Sequence, residues 1–418
     1  MNIFPSRFNN TIYPVFIILI SLAITFSRQP DAFLYPQLYA EDGVIWITQA
    51  YHEDFWNIIF RPQDGYYNIL ARLSAEVALP LHLKNVPQVF FFIALVVHLI
   101  PVILIFSNRL SHVFLNLKTK LLFSFFYLAL PDVSDLHLTL ANAHWRFAII
   151  TFLIFISRKS HNKGILILDL SLLVFGSLTG PFSIFLLPCA LIYSLFIRDR
   201  FIWTRTFFLL PGLILQLYAI ISSLNTRPIL ELGASPEALA RIISGKVLLS
   251  LLLGYQGYKS IYEQIYWNYS LVMVLAIITF ALTIYGFIIA KIELKLFILY
   301  TIFLVITALI KPTIGNQAPA WIVLENPAAA PRYWLQSHIA FFSLLMALLT
   351  HKTPLVIKSI VILMLSILPL GIYLDWRLPT REILPYKKSC RVFNKAQSGT
   401  EVTFPIQPPG YEFRLTKK

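Results

Sequence analysis

Long apolar runs with few charges alternate with short polar segments along most of the chain. The runs lie near 11–27, 86–107, 120–132, 141–157, 164–179, 181–197, 206–224, 268–290, 296–311, 334–350 and 354–374. In a lipid bilayer such runs must be helical, because hydrocarbon offers no partner to an unpaired backbone amide. The pattern therefore predicts an all-α fold, a polytopic transmembrane helical bundle of about eleven helices.

Composition agrees with a lipid environment. Of the 418 residues, 57% are apolar and 13% are charged, whereas an average soluble domain has about 25% charged residues. The net charge of +14 could indicate a nucleic-acid-binding protein. However, the Lys and Arg residues collect in short segments between apolar runs, such as 158–163 and 198–205. We therefore expect membrane lipids, and not nucleic acid, as the partners of these basic residues.

The same charge distribution predicts an orientation. Loops rich in Lys and Arg stay in the cytoplasm, so the N-terminus and the segments 108–119, 158–163, 198–205, 291–295 and 351–353 are predicted to be cytoplasmic. The other polar segments then lie outside: 28–85, 133–140, 225–267, 312–333 and 375–418. The chain thus divides into a transmembrane domain, 1–374, which includes the long external loop 28–85, and a small extracytoplasmic tail, 375–418.

The first external loop carries an acidic excess and helical signals. It holds seven acids against four bases. Apolar residues near 44–55 and 66–77 have helical spacing, which predicts two amphipathic helices at the membrane surface. Asp42 and Asp64, each followed by Gly, are turn or cap signals ahead of these helices. We therefore expect an ordered loop that lies against the bundle.

Other segments carry weaker local signals. Ser235, followed by Pro, predicts the start of another surface helix. The tail has no helical pattern, and 401–406 is a candidate edge strand. Asp169 lies inside a predicted span near its cytoplasmic end, where a structural ion pair is expected. Cys189 falls in a span and Cys390 in the tail, so no disulfide is predicted.

Three polar clusters are predicted to share the non-cytoplasmic face. They are residues 39–43 after the first span, 142–146 at the start of the fourth and 332–334 at the start of the tenth. A carboxylate of the first cluster could take the proton from a sugar hydroxyl as it attacks. An arginine of the other two clusters could hold a phosphate and stabilise the charge that develops as it leaves.

These residues and their layout resemble the GT-C superfamily of membrane glycosyltransferases. Those enzymes transfer a sugar from a polyprenyl-phosphate carrier on the extracytoplasmic face. The long external loop with Glu41 and Asp42 directly after the first helix is similar to theirs, and Arg332-Tyr333 before a span is similar to their Arg-Tyr element. Residues 41–43, 65–67 and Arg72 also resemble a bacterial branch of O-antigen-modifying or uncharacterised members, which implies the bacterial inner (plasma) membrane.

The resemblance implies an inverting, single-displacement transfer to a glycan or lipid acceptor. Many relatives have Asp-Asp or Asp-Glu where this chain has Glu41-Asp42, so either residue could be the catalytic base. The implied site also includes Arg332, Arg146 and Arg72 on the donor phosphate, and Tyr66, Tyr67, His144, Trp145 and Tyr333 on the substrates. The short tail offers no large domain for a protein acceptor. No cofactor and no metal is predicted, since no His, Asp or Glu set has metal-ligand spacing.

Simpler roles and other functions stay open. Asp42 could only cap a helix, Arg146 and Arg332 could be interfacial anchors, and Arg72 could pair with Glu76. The whole chain could be a transporter or flippase of lipid-linked sugars, which should show broken or polar helices at mid-membrane. It could also be a polymerase of lipid-linked units, which would need no carboxylate after the first helix.

Overall fold

The computed structural model describes residues 9–223, 231–264, 269–312 and 319–418, and residues 1–8 of the N-terminal segment predicted to be cytoplasmic lie outside these ranges. Most of the described chain is helical. The α-helices are α1 (Asn9–Arg28), α2 (Pro30–Leu34), α3 (Thr48–His52), α4 (Phe55–Ile58), α5 (Ile69–Ala78), α6 (Val86–Phe106), α7 (Leu117–Leu128), α8 (Ala143–Ile156), α9 (Lys163–Ser177), α10 (Phe182–Ile197), α11 (Arg200–Ser222), α12 (Pro236–Ile242), α13 (Ser250–Gln264), α14 (Tyr269–Ile289), α15 (Ile292–Ile310), α16 (Ala320–Glu325), α17 (Leu335–Thr350), α18 (Leu355–Leu374) and α19 (Tyr386–Lys395). Strands β1 (Glu401–Ile406) and β2 (Tyr411–Thr416) form an antiparallel hairpin.

Seven helices of the described chain are long and apolar enough to cross a membrane: Leu83–Phe106, Arg200–Ser222, Pro236–Glu263, Ser270–Ile289, Ile292–Ile310, Pro331–Thr350 and Leu355–Leu374. Shorter apolar helices are Pro14–Arg28, Ala143–Ile156 and Phe182–Ile197. These helices support a multi-pass helical membrane protein but do not confirm the predicted count. Two of the predicted spans correspond to α7 and α9, which have 12 and 15 residues, whereas a full crossing takes about 20.

Helix α8 lies at the centre of the bundle, and the outer helices expose apolar side chains. Every residue of α8 except Trp145 is buried. By contrast Phe16, Ile167, Phe207 and Leu363, on four different helices, are each more than half exposed. Exposed apolar surface of this extent is what a lipid-facing helix presents.

The bundle has two ends with different polar contents. We call the end that carries 29–82, 129–142 and 375–418 the loop face. The other end, which carries 107–116, 157–162 and 351–354, is the opposite face. At the opposite face Arg109 bonds to Asp169, and Arg205 lies 3.5 Å from the same carboxylate, which confirms the predicted structural ion pair of Asp169.

The first loop is ordered, as its pattern predicts. A π-helical segment, Asp42–Ile47, continues directly into α3, and α5 follows further along the loop. Asp64 and the glycine after it have positive φ values of 50° and 79°. The flanking Gln63 and Tyr66 exchange backbone hydrogen bonds of 2.9 and 3.1 Å. Asp64 is therefore a turn residue, and Asn68 caps α5 by accepting from the amide of Ala71.

The stretch from Pro236 corrects the sequence interpretation. Ser235 caps it, as predicted, by accepting from the Ala238 amide at 3.0 Å. The helix does not lie on the surface, because its apolar residues face several directions and most are buried. A π-helical segment, Ile243–Leu249, joins α12 to α13. The buried Lys246 of this segment donates to the carbonyls of Pro327 and Ala329 at 2.7 and 2.8 Å.

The tail is more regular than predicted. It contains the helix α19, whose buried residues Tyr386, Cys390 and Phe393 are four and three positions apart and form one helical face. The prediction of no helical pattern was wrong, since a short basic helix with a cysteine on its apolar face has little apolar signal. The predicted strand at 401–406 is confirmed as β1, with β2 as its partner.

The tail packs on the first loop. The amide of Gln407 donates to the carbonyl of Leu38 at 3.0 Å, and the amide of Ala40 donates to the carbonyl of Gln407 at 2.6 Å. At the far end of the hairpin, the amide of Thr416 donates to Nε2 of His52 at 3.3 Å. The hairpin therefore holds the backbone that leads into the acidic residues of the first cluster.

Candidate active site

The two adjacent acids at the start of the first-loop helix have different surroundings. Asp42 is buried, with 1% of its surface exposed, whereas Glu41 is exposed. One oxygen of Asp42, Oδ2, accepts from the Tyr39 amide at 2.9 Å. Burial raises the pKa of Asp42 well above its usual range, although the hydrogen bond from Tyr39 opposes this shift. Asp42 thus orders the turn at 39–42, and Glu41 projects from it.

Arg332 lies at the start of a predicted span, beside a carboxylate from another loop. Its Nη1 is 3.5 Å from Oδ2 of Asp135, and its guanidinium carbon lies 5.2 Å from the ring centre of Tyr333. The arginine is 30% exposed and Asp135 is 14% exposed. Burial raises the pKa of Asp135, and the charge of Arg332 lowers it in part. An anion could therefore approach Arg332 from the open side.

The turn before Arg332 is fixed by contacts from the bundle. Ala330 has a positive φ of 46°, a conformation that is unfavourable for a residue with a side chain. The ammonium group of Lys246 binds the carbonyls of Pro327 and Ala329, directly before this residue. These bonds hold the strained turn in place and so fix the position of the backbone from which the Arg332 side chain extends.

A second arginine, Arg381, reaches the same place from the tail. Its guanidinium lies 5.5 Å from the ring centre of Tyr39, and its Nη2 donates to the carbonyl of His137 at 3.0 Å. Its backbone amide donates to Asp31 at 3.1 Å. The positive charge of Arg381 lowers the pKa of Asp42 and thereby offsets part of the effect of burial.

The hydroxyl of Tyr39 is close enough to these charged groups to be affected by each of them. Burial is the main cause of the raised pKa of its hydroxyl, and nearby charges add to it or oppose it. Asp135 and Glu41 raise this pKa, whereas Arg381 and Arg332 lower it. We call the group Tyr39, Glu41, Asp42, Asp135, Arg332 and Arg381 the loop-face site.

An aromatic wall lies next to the loop-face site. The rings of Tyr66 and His144 have centres 5.8 Å apart, as do those of His144 and Trp145. Trp145 also lies 5.5 Å from the ring of Tyr333. Glu41 and Arg332 both act electrostatically on the Tyr66 hydroxyl, whose pKa burial raises. The structure thus brings together four of the five residues that the sequence placed on the substrates.

Tyr67, the fifth, is held elsewhere. Its backbone amide donates to the side chain of Gln216 at 2.9 Å, and its carbonyl accepts from Gly180 at 2.8 Å. The groups that act on its hydroxyl are Tyr218 and Arg72. Its observed contacts therefore attach the first loop to the bundle.

The other two predicted phosphate-binding arginines have partners of their own. Arg72 donates to the side chain of Gln49 at 2.9 Å and to the carbonyl of Arg61 at 2.7 Å, and it covers the ring of Trp46. Burial and the nearby Arg61 lower the pKa of Arg72 to about 10. Its bonds hold the first loop together, and they do not include the predicted ion pair with Glu76.

Arg146 points into the bundle core. It is buried, its Nε donates to the carbonyl of Leu136 at 3.4 Å, and its guanidinium lies 5.4 Å from the ring centre of Tyr127. Two buried histidines, His98 and His137, lie in the same region. Of the three predicted arginines, these contacts leave Arg332 as the one in the loop-face site.

Sequence reasoning missed two residues of this site. Asp135 had a usable signal, because an acid in a short connection between two predicted spans lies at the edge of hydrocarbon, where charges are rare. Arg381 had none, since it is one of several basic residues in the tail. Within the described ranges, no three His, Cys, Asp or Glu side chains are grouped closely enough to hold a metal ion.

Comparison with known proteins gives little further information. No protein family model and no curated protein matches the chain. The chain is similar to the crystal structure of the Archaeoglobus fulgidus oligosaccharyltransferase tethered with an acceptor peptide, with a TM-score of 0.42 and 12% identity. The match covers 94% of this chain and 58% of that one, so this chain spans less than two thirds of its length. A similarity of this strength establishes neither a shared fold nor a shared activity.

Proposed function

We propose that the chain is a membrane glycosyltransferase that moves a sugar from a polyprenyl-phosphate carrier to a glycan or lipid acceptor. The observation that carries the proposal is the loop-face site, where exposed Glu41, the ion pair of Arg332 with Asp135, and Arg381 lie near one tyrosine, Tyr39. A carboxylate and a cation at the membrane surface fit a hydroxyl acceptor and a lipid phosphate leaving group. In the proposed orientation this face is extracytoplasmic and the membrane is the bacterial inner membrane.

In the proposed reaction Glu41 is the general base. It takes the proton of the acceptor hydroxyl as the hydroxyl oxygen bonds to the anomeric carbon of the sugar. The bond between that carbon and the phosphate oxygen breaks, and its electron pair leaves with the polyprenyl phosphate. Arg332 stabilises the charge on this phosphate, so the leaving group needs no proton from a second acid. A single displacement of this kind inverts the anomeric configuration.

The other groups support this chemistry. Asp42 orders the turn that presents Glu41, and burial favours its protonated form, which is poorly suited to accept a proton. Asp135 holds Arg332 in the absence of donor, and the donor phosphate would take its place. In the aromatic wall, Tyr66 and Trp145 are partly exposed and offer ring faces on which a sugar can pack, and the buried His144 and Tyr333 support them.

The test measures transfer of radiolabelled sugar from a panel of polyprenyl-phosphate sugars to a membrane glycolipid extract. We expect Glu41→Gln to lower the rate by about 10²- to 10⁴-fold, the usual contribution of a general base. Arg332→Ala should lower it to a similar degree, and Arg332→Lys should restore part of it. Asp54→Asn is the matched control, because Asp54 is an exposed acid of the same loop.

Two results would change the proposal. Loss of transfer in Asp42→Asn together with full activity in Glu41→Gln would move the base to Asp42. The protein would be a flippase, and not a transferase, if two results are found together. No donor supports transfer, and lipid-linked sugar crosses the membrane of vesicles that contain the protein. Folding of each variant is checked by its melting temperature in detergent.

A further inference from the structure

A cavity that is separate from the loop-face site opens toward the opposite face. Its volume is about 550 Å³, and it lies between α6, α7, α8, α15 and α17. The side chains of Ile105, Leu122, Phe126, Phe152 and Phe297 form its walls. A cavity of this size holds a small organic molecule or part of a lipid. Its hydrocarbon walls suit an apolar chain and not a sugar.

The depth of this groove corresponds to one leaflet of a bilayer. Along α17, the residues that line it run from Ile339 to Thr350. At 1.5 Å per residue this distance is about 16 Å, roughly half of the hydrocarbon thickness of about 30 Å. A single acyl chain would therefore reach the blind end when its head group lies at the opposite face.

The groove is closed toward the loop-face site. Every residue from Tyr333 to His338, between Arg332 and Ile339, is buried. Phe126 and Tyr127 line the deep end of the groove and are themselves buried. A donor bound at Arg332 therefore has no open path along α17 into the groove, and a ligand enters from the leaflet at the opposite face.

The mouth of the groove is basic. Lys118 and Lys291 line it and are exposed, as is His351. The acid that also lines it, Glu293, is directed to other partners: it lies 3.8 Å from Nε2 of His112 and 3.4 Å from the Tyr193 hydroxyl. The mouth thus offers two lysines to a ligand. A phospholipid head group with a net negative charge, whose phosphate diester is not balanced by a cation of its own, complements them.

We propose that this groove binds one anionic glycerophospholipid of the leaflet at the opposite face, with an acyl chain between α7, α8 and α17 and its phosphate at Lys118 and Lys291. The lipid would fill the cavity between the five helices and add packing contacts to each of them. It would thereby stabilise the helix α17, which begins next to Arg332. This site does not depend on the proposed transferase activity.

The experiment measures lipid binding to the full-length protein in detergent by native mass spectrometry. The protein is delipidated and titrated with palmitoyl-oleoyl phosphatidylglycerol, with phosphatidylcholine of the same chains and with a polyprenyl phosphate. We expect one phosphatidylglycerol per chain to bind with at least about tenfold preference over phosphatidylcholine, from two lysines near an anionic head group.

Variants separate the chain pocket from the head-group contacts. Ala347→Trp and Ser343→Phe each fill the groove and should abolish the bound lipid. Leu363→Trp is their control, because Leu363 is 61% exposed on the outer side of α18. The double variant Lys118→Ser and Lys291→Ser should bind phosphatidylglycerol about tenfold or more weakly. The control is the double variant Lys387→Ser and Lys388→Ser, which removes two exposed lysines of α19. It should bind phosphatidylglycerol as the wild type does.

Each other outcome would overturn the proposal. Retention of the lipid by both groove-filling variants, with unchanged melting temperatures, would place the bound lipid outside the groove. Equal binding of the two phospholipids would remove the head-group assignment. Displacement of phosphatidylglycerol by polyprenyl phosphate, with the same dependence on Ala347, would make the carrier lipid the occupant. If one groove-filling variant does not fold, the other still decides.

Discussion

At the scale of single residues, burial decides how the acids of the loop face behave. Asp42 and Glu41 are neighbours in sequence, yet one is enclosed and the other faces the open side of the site. A buried carboxyl without full hydrogen bonding favours the proton-bound form. Both residues are carboxylic acids, so only their burial separates them. This difference in burial is the reason why we propose Glu41 as the base and Asp42 as the residue that orders the turn.

Asp132 extends the same reasoning to stability. Burial raises the pKa of Asp132 to about 7, and the nearby Lys246 offsets only part of this shift. A raised pKa in the folded state means that the contribution of this group to stability is complete below its usual 3.8 and is lost as the pH rises through about 7. Asp132→Asn cannot lose a proton, so we expect its melting temperature to exceed that of wild type increasingly across this window.

The measurement is thermal unfolding in detergent at a series of pH values. Asp54→Asn, which removes an exposed acid of the first loop, should follow the wild-type curve. Parallel curves for wild type and Asp132→Asn across the window would show that Asp132 is not the group whose ionisation lowers stability.

At the scale of elements, the tail hairpin is part of the site. Its backbone pairs with residues directly before Glu41, and Tyr39 and Gln407 form an isolated β-bridge. Phe413 of β2 lies against Gly43, the second residue of the π-helical segment. This arrangement explains how a tail of little more than forty residues can add Arg381 and fix the acidic turn.

The contact between Gly43 and Phe413 gives a direct test of this coupling. A Cβ at Gly43 would lie 2.8 Å from Cε1 of Phe413, and the phenylalanine is buried and stacked on Phe404. Since the ring has little room to move, we expect Gly43→Ala to cost about 1–3 kcal/mol, as overpacked cores do. Transfer activity should also fall, because Glu41 is attached to the displaced turn.

A double-mutant cycle shows whether Gly43→Ala destabilises the protein through a clash with Phe413 or through a different disturbance. Phe413→Leu alone should destabilise the hairpin, but in combination with Gly43→Ala it should cost less than the sum of the two changes. Unfolding in detergent provides the values. Additive effects would mean that the added methyl group disturbs something other than this ring.

At the scale of the whole molecule, the two ends of the bundle differ in the groups that they carry. The loop face carries the charged site and the aromatic wall, and the opposite face carries the structural ion pair of Asp169 and the mouth of the apolar groove. The positive-inside rule predicts that the opposite face is cytoplasmic. Only with this orientation would the site use a donor and an acceptor outside the cell.

Cysteine labelling in intact cells tests the orientation. Lys387→Cys lies on the loop face and His161→Cys on the opposite face, and both positions are exposed. We expect a membrane-impermeant maleimide to label the first in intact cells and the second only after the membrane is opened. Wild type is the control, because Cys189 and Cys390 are both buried. The reverse labelling pattern would place the loop face in the cytoplasm.

The sequence by itself determined the features that rest on local chemistry. Long apolar runs must be helices in hydrocarbon, and this decides the class of the protein. The cap at Ser235, the turn at Asp64 and the strand at 401–406 follow from the preferences of neighbouring residues. The candidate residues Glu41, Asp42 and Arg332 could also be chosen from sequence, because charges beside long apolar runs are conspicuous.

Only the tertiary structure decided which of these residues meet. Asp135 and Arg381 are separated from Glu41 by about a hundred residues and by most of the chain, and no local pattern joins them. The engagement of Arg72 and Arg146 with other partners is equally invisible in sequence. Contacts over such distances depend on how the helices pack, which is a property of the whole set of apolar faces and not of any single segment.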